Sequence, residues 1–174
     1  LAAADTTEQQ TRAAQDTAIR QEAAAAAKAV PLVKLLEVPV TQAAAQVDVD
    51  VSQIDFTQYA EVWIVPILST PYNYIYLRCN NIATNSYFHS GTSQNYLCRL
   101  DGNGRLGQCK GKIRLAAYLS PIACICENIS NMPTQPSYST APTIEPKDLQ
   151  TLNFVADGGT INGEGKIVLW GWKL

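Results

Sequence analysis

Histidine, methionine and charged side chains are scarce in this 174-residue chain. It has one histidine, one methionine and 16% charged residues, whereas globular proteins average about 25% charged residues. A single histidine excludes any site that needs two. The 13 basic and 15 acidic residues leave a net charge of −2. This excludes a strongly basic nucleic-acid-binding protein, because such proteins displace phosphate counterions with clustered lysine and arginine.

Long apolar runs and targeting signals are also missing. The longest apolar run, Leu115–Cys126, is broken by Pro121 and is shorter than the roughly 20 residues that span a bilayer. The N-terminal Leu1–Asp5 has no methionine and no basic segment before an apolar stretch, unlike a signal peptide. We therefore expect no membrane insertion, and we interpret the sequence as a piece of a longer chain.

The cysteines lack the paired CxxC arms of a structural zinc site. Their number is odd and their spacing is irregular, which is not typical of a compact disulfide scaffold. Because alternate residues of a strand share a face, Cys124 and Cys126 would point the same way. We interpret most of the cysteines as reduced, small apolar residues of a chain assembled in the cytosol: Cys79, Cys98, Cys109, Cys124 and Cys126.

Motifs for catalysis are missing as well. The sequence has no GxSxG turn that would present a nucleophile to His89. Asp101–Arg105 resembles the start of a calcium loop, but Arg105 and Lys112 stand where oxygen ligands are needed, so we interpret it as a glycine-rich turn. A glycosidase needs two carboxyl groups at a set spacing, which the sequence cannot test. We predict a protein that is not an enzyme and has no metal or cofactor.

Aromatic residues, glycine and cysteine are all missing from residues 1–46, which contain 15 alanines. A region with so little large apolar surface cannot bury a core by itself. The composition of Ala4–Ala29 favours a helix, and Pro31 ends it because proline lacks the amide hydrogen and clashes with the preceding turn. We predict a helical stalk over residues 1–36.

The predicted stalk has a heptad seam of mostly small residues. Packing several copies through such a seam would bring the helices close together, and this favours a trimeric coiled-coil-like bundle. A single helix packed on its own domain and an alanine-rich linker remain alternatives. The seam positions are Ala4, Thr7, Thr11, Ala14, Ala18, Gln21 and Ala25, continued by Leu32 and Leu35 beyond the proline.

From Val47 onward the pattern has a period of two residues, which is typical of strands. We predict a connector over residues 37–52 and an antiparallel β-sandwich or jelly-roll head over residues 53–174. Glu61–Leu68, where Pro66 indicates an edge strand or a bulge, and Tyr72–Cys79 are predicted to form a hairpin. Further strands are predicted near Tyr87–Ser90, Asn95–Leu100, Lys112–Leu119, Ile122–Cys126, Leu149–Val155 and Lys166–Leu174, with one long irregular loop at Asn128–Pro146.

Tyrosine and asparagine are abundant between residues 72 and 103. Tyrosine offers a flat apolar face and a polar tip, and with neighbouring amides it suits sugar rings. Core packing of about half of the tyrosines is the alternative. The predicted receptor-binding residues are Asn80, Asn81, Tyr87, His89, Tyr96, Asp101 and Asn103.

Three parts of the sequence, one of them made of two segments, resemble fibre and receptor-binding proteins of tailed bacteriophages. The alanine-rich segment Thr6–Glu22 resembles phage fibre coiled coils. Ile54–Val65 followed by Tyr76–Asn80 is similar to the first hairpin of many siphophage fibre heads. The closing segment Gly165–Leu174 resembles the terminal Gly-x-Ile-x-Leu-Tyr-Gly strand of those heads.

The resemblance implies a homotrimer in the phage tail, assembled in the host cytoplasm. Its implied partners are a host cell-surface glycan and other tail or baseplate proteins of the virion. Three copies of a head would give avidity to weak sugar contacts. Two alternatives remain: a purely structural fibre or decoration protein of the virion, and a carbohydrate-binding module or hydrolase fragment of a bacterial enzyme.

Overall fold

The computed structural model describes residues 12, 14–21, 32–71, 74–89, 92–101, 108–116, 122–128, 137–141 and 143–174. The chain divides into two units, Leu1–Pro31 and Leu32–Leu174. The described strands of the second unit are β1 (Leu32–Val40), β2 (Gln46–Asp50), β3 (Tyr59–Ser69), β4 (Tyr74–Cys79), β5 (Tyr87–His89), β6 (Thr92–Gln94), β7 (Cys98–Asp101), β8 (Gln108–Ala116), β9 (Ile122–Asn128), β10 (Ser137–Ala141), β11 (Thr151–Ala156) and β12 (Gly165–Lys173). Short 3-10 helices lie at Phe56–Gln58 and Pro146–Asp148.

In the first unit, residue 12 and residues 14–21 are helical and exposed. This confirms the predicted helix over that part of its range. Ile19, which follows the seam position Ala18, is 63% exposed, and packing of three helices stays a prediction. The seam positions Ala14, Ala18 and Gln21 lie on this helix, whereas Ala4, Thr7, Thr11 and Ala25 lie outside the described residues.

The strands of the second unit form two antiparallel sheets. One sheet has eight strands in the order β1-β12-β3-β8-β9-β10-β5-β6, and the other has four in the order β2-β11-β4-β7. Buried residues alternate with more exposed ones along much of β3, β4, β8 and β9, as the period-two pattern predicts. The prediction of a mainly β, antiparallel fold is therefore confirmed.

A single cluster of buried side chains draws on both sheets. Ile64 and Leu169 come from the eight-stranded sheet, whereas Leu77 and Leu152 come from the four-stranded sheet, and each of the four is fully buried. Burying a side chain of this size stabilises the fold by about 1.5–3 kcal/mol. The cluster thus holds the two sheets together and leaves their other faces available for contacts.

Residues 32–52 differ from the predicted stalk and connector. Leu32 and Leu35, expected on the helix seam, lie on β1, which pairs with β12. The predicted connector contains the end of β1 and all of β2, which pairs with β11. The cause is tertiary: as a strand, this segment buries Val40 in the core and packs Val38 against it. A helix extended past Pro31 has no such partner.

The hairpin predicted between Glu61–Leu68 and Tyr72–Cys79 is wrong. Strand β3 lies between β12 and β8, whereas β4 lies between β11 and β7 in the other sheet. The chain after β3 is held by contacts with a distant loop: Asn162 N donates to Ser69 O at 2.8 Å and Thr70 Oγ1 to Thr160 O at 3.0 Å. Ser69–Pro71 is thus part of a crossing between sheets.

Pro66 lies in an interior strand and not at an edge, contrary to the prediction. Its neighbours are β12 on one side and β8 on the other. The pairing with β8 runs from Val62 to Ile64 and resumes at Ile67 in the same register. Proline donates no hydrogen bond, and the sheet accommodates it through this gap without a change of register.

The long loop predicted for Asn128–Pro146 is interrupted by regular structure. Strand β10 lies within it and joins β9 to β5 in the eight-stranded sheet. Ser139 and Ala141 of β10 are buried. The prolines in this stretch therefore flank a short strand that the tertiary pairing selects.

Candidate functional site

Two irregularities in strand pairing lie at the same end of β12. On one side, the pairing with β1 shifts between Lys34 and Leu36. On the other side, the pairing with β3 passes from Trp172 opposite Glu61 to Lys173 opposite Tyr59. Such bulges re-aim side chains and are frequent at functional sites. Two clefts open at this end of the sheet.

The first opening, the tryptophan cleft, has a volume of about 490 Å³ and is lined by Ala60, Glu61, Trp63, Trp172 and Leu174. The rings of Trp63 and Trp172 lie 5.9 Å apart between centroids and are tilted by 46°. Trp172 is 41% exposed. An aromatic face is therefore open to solvent in a shallow opening, where it is accessible for stacking by a ligand ring.

Charged side chains surround Trp63. Its indole nitrogen donates to Glu61 Oε2 at 2.7 Å, and Lys112 Nζ lies 3.4 Å from its ring centroid. Arg114 Nη1 lies 3.7 Å from Glu61 Oε1, and Arg114 Nη2 lies 3.3 Å from Glu127 Oε1. These contacts engage both the polar tip and one face of Trp63. Trp172 is consequently the ring of the pair that is better placed to receive a ligand.

The second opening, the polar cleft, has a volume of about 450 Å³. Its carboxylate, Asp55, caps the Phe56–Gln58 turn by accepting hydrogen bonds from Thr57 N, Thr57 Oγ1 and Gln58 Nε2. These hydrogen bonds, that from the Thr57 side chain foremost, lower the pKa of Asp55. The Asp55 carboxylate therefore stabilises the Phe56–Gln58 turn as its cap. The lining residues are Val33, Lys34, Leu35, Gln53, Ile54, Asp55, Gln58, Tyr59 and Lys173.

A third aromatic surface, the tyrosine face, covers part of the four-stranded sheet. Tyr76 and Tyr96 stack with centroids 4.6 Å apart, and Arg99 Cζ lies 4.3 Å from the ring centroid of Tyr74. Burial, followed by the charge of Asp157 and a hydrogen bond to it, raises the pKa of Tyr76 to about 12. Tyr74 and Tyr76 share one face, because Ile75 between them points into the core.

Asn80 and Asn81 serve the fold, although both were predicted to bind a receptor. Each has a positive φ, 50° and 57°, which asparagine tolerates better than most residues. Asn80 Oδ1 accepts from the amides of Gln150 and Thr151, and Asn81 N donates to Asn153 Oδ1 at 2.7 Å. The Asn80 side chain and the Asn81 backbone amide therefore tie the end of β4 to β11, and the Asn81 side chain accepts a hydrogen bond from Gln46 Nε2 of β2 at 2.7 Å.

Tyr87 is fully buried, which removes it from the candidate receptor surface. Its hydroxyl accepts from Cys79 N at 2.9 Å and lies 3.2 Å from the carbonyl oxygens of Cys79 and Ile82. A ring of this size is placed inside because its hydroxyl finds backbone partners there. Tyr87 thus joins β5 to the end of β4.

The structure does not unite the remaining predicted residues in one site. His89 ends β5, is half-buried, and its Nδ1 has no hydrogen-bond partner among the described residues. Tyr96 belongs to the tyrosine face. Asp101 pairs with Tyr74 through the backbone, and Asn103 lies outside the described residues.

Sequence reasoning did not identify the tryptophan cleft. A signal was present: in Trp170-Gly171-Trp172 the two tryptophans are two apart, so a strand places both on one face. Trp63 stands directly opposite Trp170 in the sheet. That pairing joins residues more than a hundred positions apart, which local pattern cannot reveal.

Among the described residues, no three or more histidine, cysteine or acidic side chains are grouped to hold a metal ion. No described helix is long and apolar enough to cross a membrane. Comparison of the chain with protein-family models, with curated proteins and with solved structures finds no match.

Proposed function

We propose that this chain is a virion attachment protein of the tailed-phage type, whose β-sandwich head binds a host-surface saccharide without catalysis. The observation that carries the proposal is the tryptophan cleft, with Trp172 41% exposed beside a second indole. In this interpretation the two sheets are the layers of the head. The helical segment belongs to a stalk that joins three copies.

The cleft has the chemistry that sugar recognition uses. A pyranose ring presents C–H groups that stack on an aromatic face, and its hydroxyl groups bond to carboxylates and cations at the rim. Trp172 offers the face, Glu61 lines the cleft, and Arg114 lies within 3.7 Å of Glu61. Such an arrangement supplies one stacking surface and a few oriented polar groups.

Weak binding of this kind is consistent with a multivalent head. One stacked ring with a few hydrogen bonds gives modest affinity, and three linked copies raise the avidity without new contacts. The proposed partners are two further copies of the chain, a host glycan and neighbouring tail or baseplate proteins.

The test is binding of the wild-type chain and Trp172→Ala to host cells and to a panel of their surface saccharides. We expect the substitution to weaken binding by at least about tenfold, because an aromatic anchor in a cleft carries more than its share of the binding energy. Phe88→Ala is the matched control, since Phe88 is 47% exposed and lies on β5, outside the cleft. Its binding should equal that of wild type.

Three results would overturn the proposal. If Trp172→Ala binds the saccharide with wild-type affinity, the tryptophan cleft does not take part in binding. Failure of the wild-type chain to bind any candidate host, with an assembly defect and normal adsorption after deletion from the virion, would favour the structural fibre protein. Saccharide turnover that depends on a carboxylate would instead favour the hydrolase fragment.

A further inference from the structure

Two thiols from different sheets meet inside the core. Cys98 Sγ lies 2.9 Å from Cys126 Sγ. Cys98 begins β7 in the four-stranded sheet, and Cys126 lies on β9 in the eight-stranded sheet. Both are free thiols with no more than 1% of their surface exposed. A disulfide bond is about 2.05 Å long, so the sulfur atoms need to approach by less than about 1 Å.

Two further thiols lie close to this pair, and one of them also contacts Cys98. Cys79 and Cys124 are also buried and free, and Cys124 hydrogen-bonds to Cys98. Cys126 and Cys124 stand two apart on β9, so both point into the core. Cys126 Sγ also lies 3.7 Å from Arg99 O, on the residue that follows Cys98. Cys126 is thus held against the chain at Cys98 by two contacts.

We propose that Cys98 and Cys126 form a disulfide bond that joins the two sheets when the chain folds in oxidising surroundings. The oxidant is a small organic disulfide such as glutathione disulfide. One cysteine thiolate attacks it and releases one glutathione thiolate, leaving a mixed disulfide. The second cysteine thiolate then attacks the protein sulfur of that mixed disulfide and releases the second glutathione. Two protein thiols thereby lose two protons and two electrons, and the oxidant takes up both as two thiols.

Burial determines when this reaction takes place. Desolvation raises the pKa of Cys98, and hydrogen bonds to Cys124 and Cys126 raise it further. Exchange requires a thiolate and access for the oxidant; in the folded chain the raised pKa disfavours the Cys98 thiolate, and both thiols are buried away from the oxidant. We therefore expect fast formation during folding and slow formation in the native protein.

The bond would close the segment from Cys98 to Cys126, which contains β8. A cross-link of this length restricts the unfolded chain and stabilises the fold. It would also anchor β7, the four-residue edge strand that supports Arg99 of the tyrosine face. We expect the oxidised protein to melt roughly 5–10 °C above the reduced protein.

The test is refolding of the full chain in a glutathione redox buffer, followed by alkylation of free thiols and digestion after lysine and arginine. Cys79 and Cys98 then fall in one peptide, residues 79–99, and Cys124 and Cys126 in another, residues 115–147. We expect these two peptides to be joined in the oxidised protein and separate after reduction. Fragmentation of the joined pair should assign the bond to Cys98 and Cys126.

Variants separate this pair from its neighbours. Cys79→Ala combined with Cys124→Ala should keep the joined peptides and the rise in melting temperature, whereas Cys98→Ala and Cys126→Ala should each lose both. Wild-type protein in which all thiols remain open to alkylation would overturn the proposal. So would a bond that fragmentation of the wild-type peptides assigns to Cys124, a readout that does not depend on the folding of any variant.

Discussion

Among single residues, Gly171 has the closest packing at the end of β12 where both strand pairings shift. A Cβ atom there would lie 2.5 Å from Cδ1 and Cε1 of Tyr59 and 3.0 Å from Cδ1 of Leu35. Both neighbours line the polar cleft, and Trp172 of the tryptophan cleft follows directly in the chain. The missing side chain at Gly171 thus lets the ring of Tyr59 lie close to the strand that carries both clefts.

Gly171→Ala should destabilise the protein by about 1–3 kcal/mol, since overpacking forces a ring to move. Urea unfolding would measure the free energy. Tyr59→Ala provides the matched background: with the ring removed, Gly171→Ala should cost less than half as much. If Gly171→Ala lowers the unfolding free energy equally with and without the Tyr59 ring, then Tyr59 does not restrict the size of the side chain at residue 171.

At the scale of elements, β12 is the strand on which the site depends. It pairs with β1 along one edge and β3 along the other, and both pairings shift register at the end where the clefts open. Strand β1 lies at one edge of this sheet and covers that side of β12. The segment at Leu32–Val40 is therefore part of the β unit.

Truncation tests this boundary. A chain that begins at Leu32 should fold and unfold cooperatively in urea, whereas one that begins at Thr41 should lose at least about 3 kcal/mol of unfolding free energy. The second chain lacks β1, which buries Val40 and packs Val38 against the core. Circular dichroism during unfolding supplies the measurement, and equal midpoints for the two chains would contradict the role given to β1.

At the scale of the whole molecule, the proposed function requires several copies. The described helical residues 14–21 are exposed, and Ile19 is 63% exposed. A short helix with no packed face is marginal in water. Association of copies through the stalk would supply the missing contacts and would bring three clefts to one cell surface.

Light scattering should therefore give the full chain a mass three times its 18.9 kDa. We expect the chain that begins at Leu32 to lose this association, because it lacks the predicted stalk. Single copies of the full chain at micromolar concentration would contradict the trimer. A trimer that survives removal of residues 1–31 would assign the association to the β unit.

Local pattern was enough to predict the class of the fold and much of its strand content. The alternation at Tyr74–Cys79 and Ile122–Cys126 identified strands because the period of two is a property of neighbouring residues. The alanine-rich composition predicted a helix, and residues 14–21 are helical, because helix propensity is also local.

Tertiary structure decided which strands are neighbours and therefore where the clefts lie. Nothing near Ser69–Pro71 distinguishes a hairpin from a crossing between sheets, since the partners of β3 and β4 are distant in the chain. Leu32 and Leu35 fitted a heptad, yet pairing with β12 made them part of a strand. Trp63 is brought to Trp172, and Cys98 to Cys126, by the tertiary arrangement of the strands and not by their positions in the sequence. Periodicity is encoded locally, whereas sheet order depends on which buried faces and backbone partners the whole chain can satisfy together.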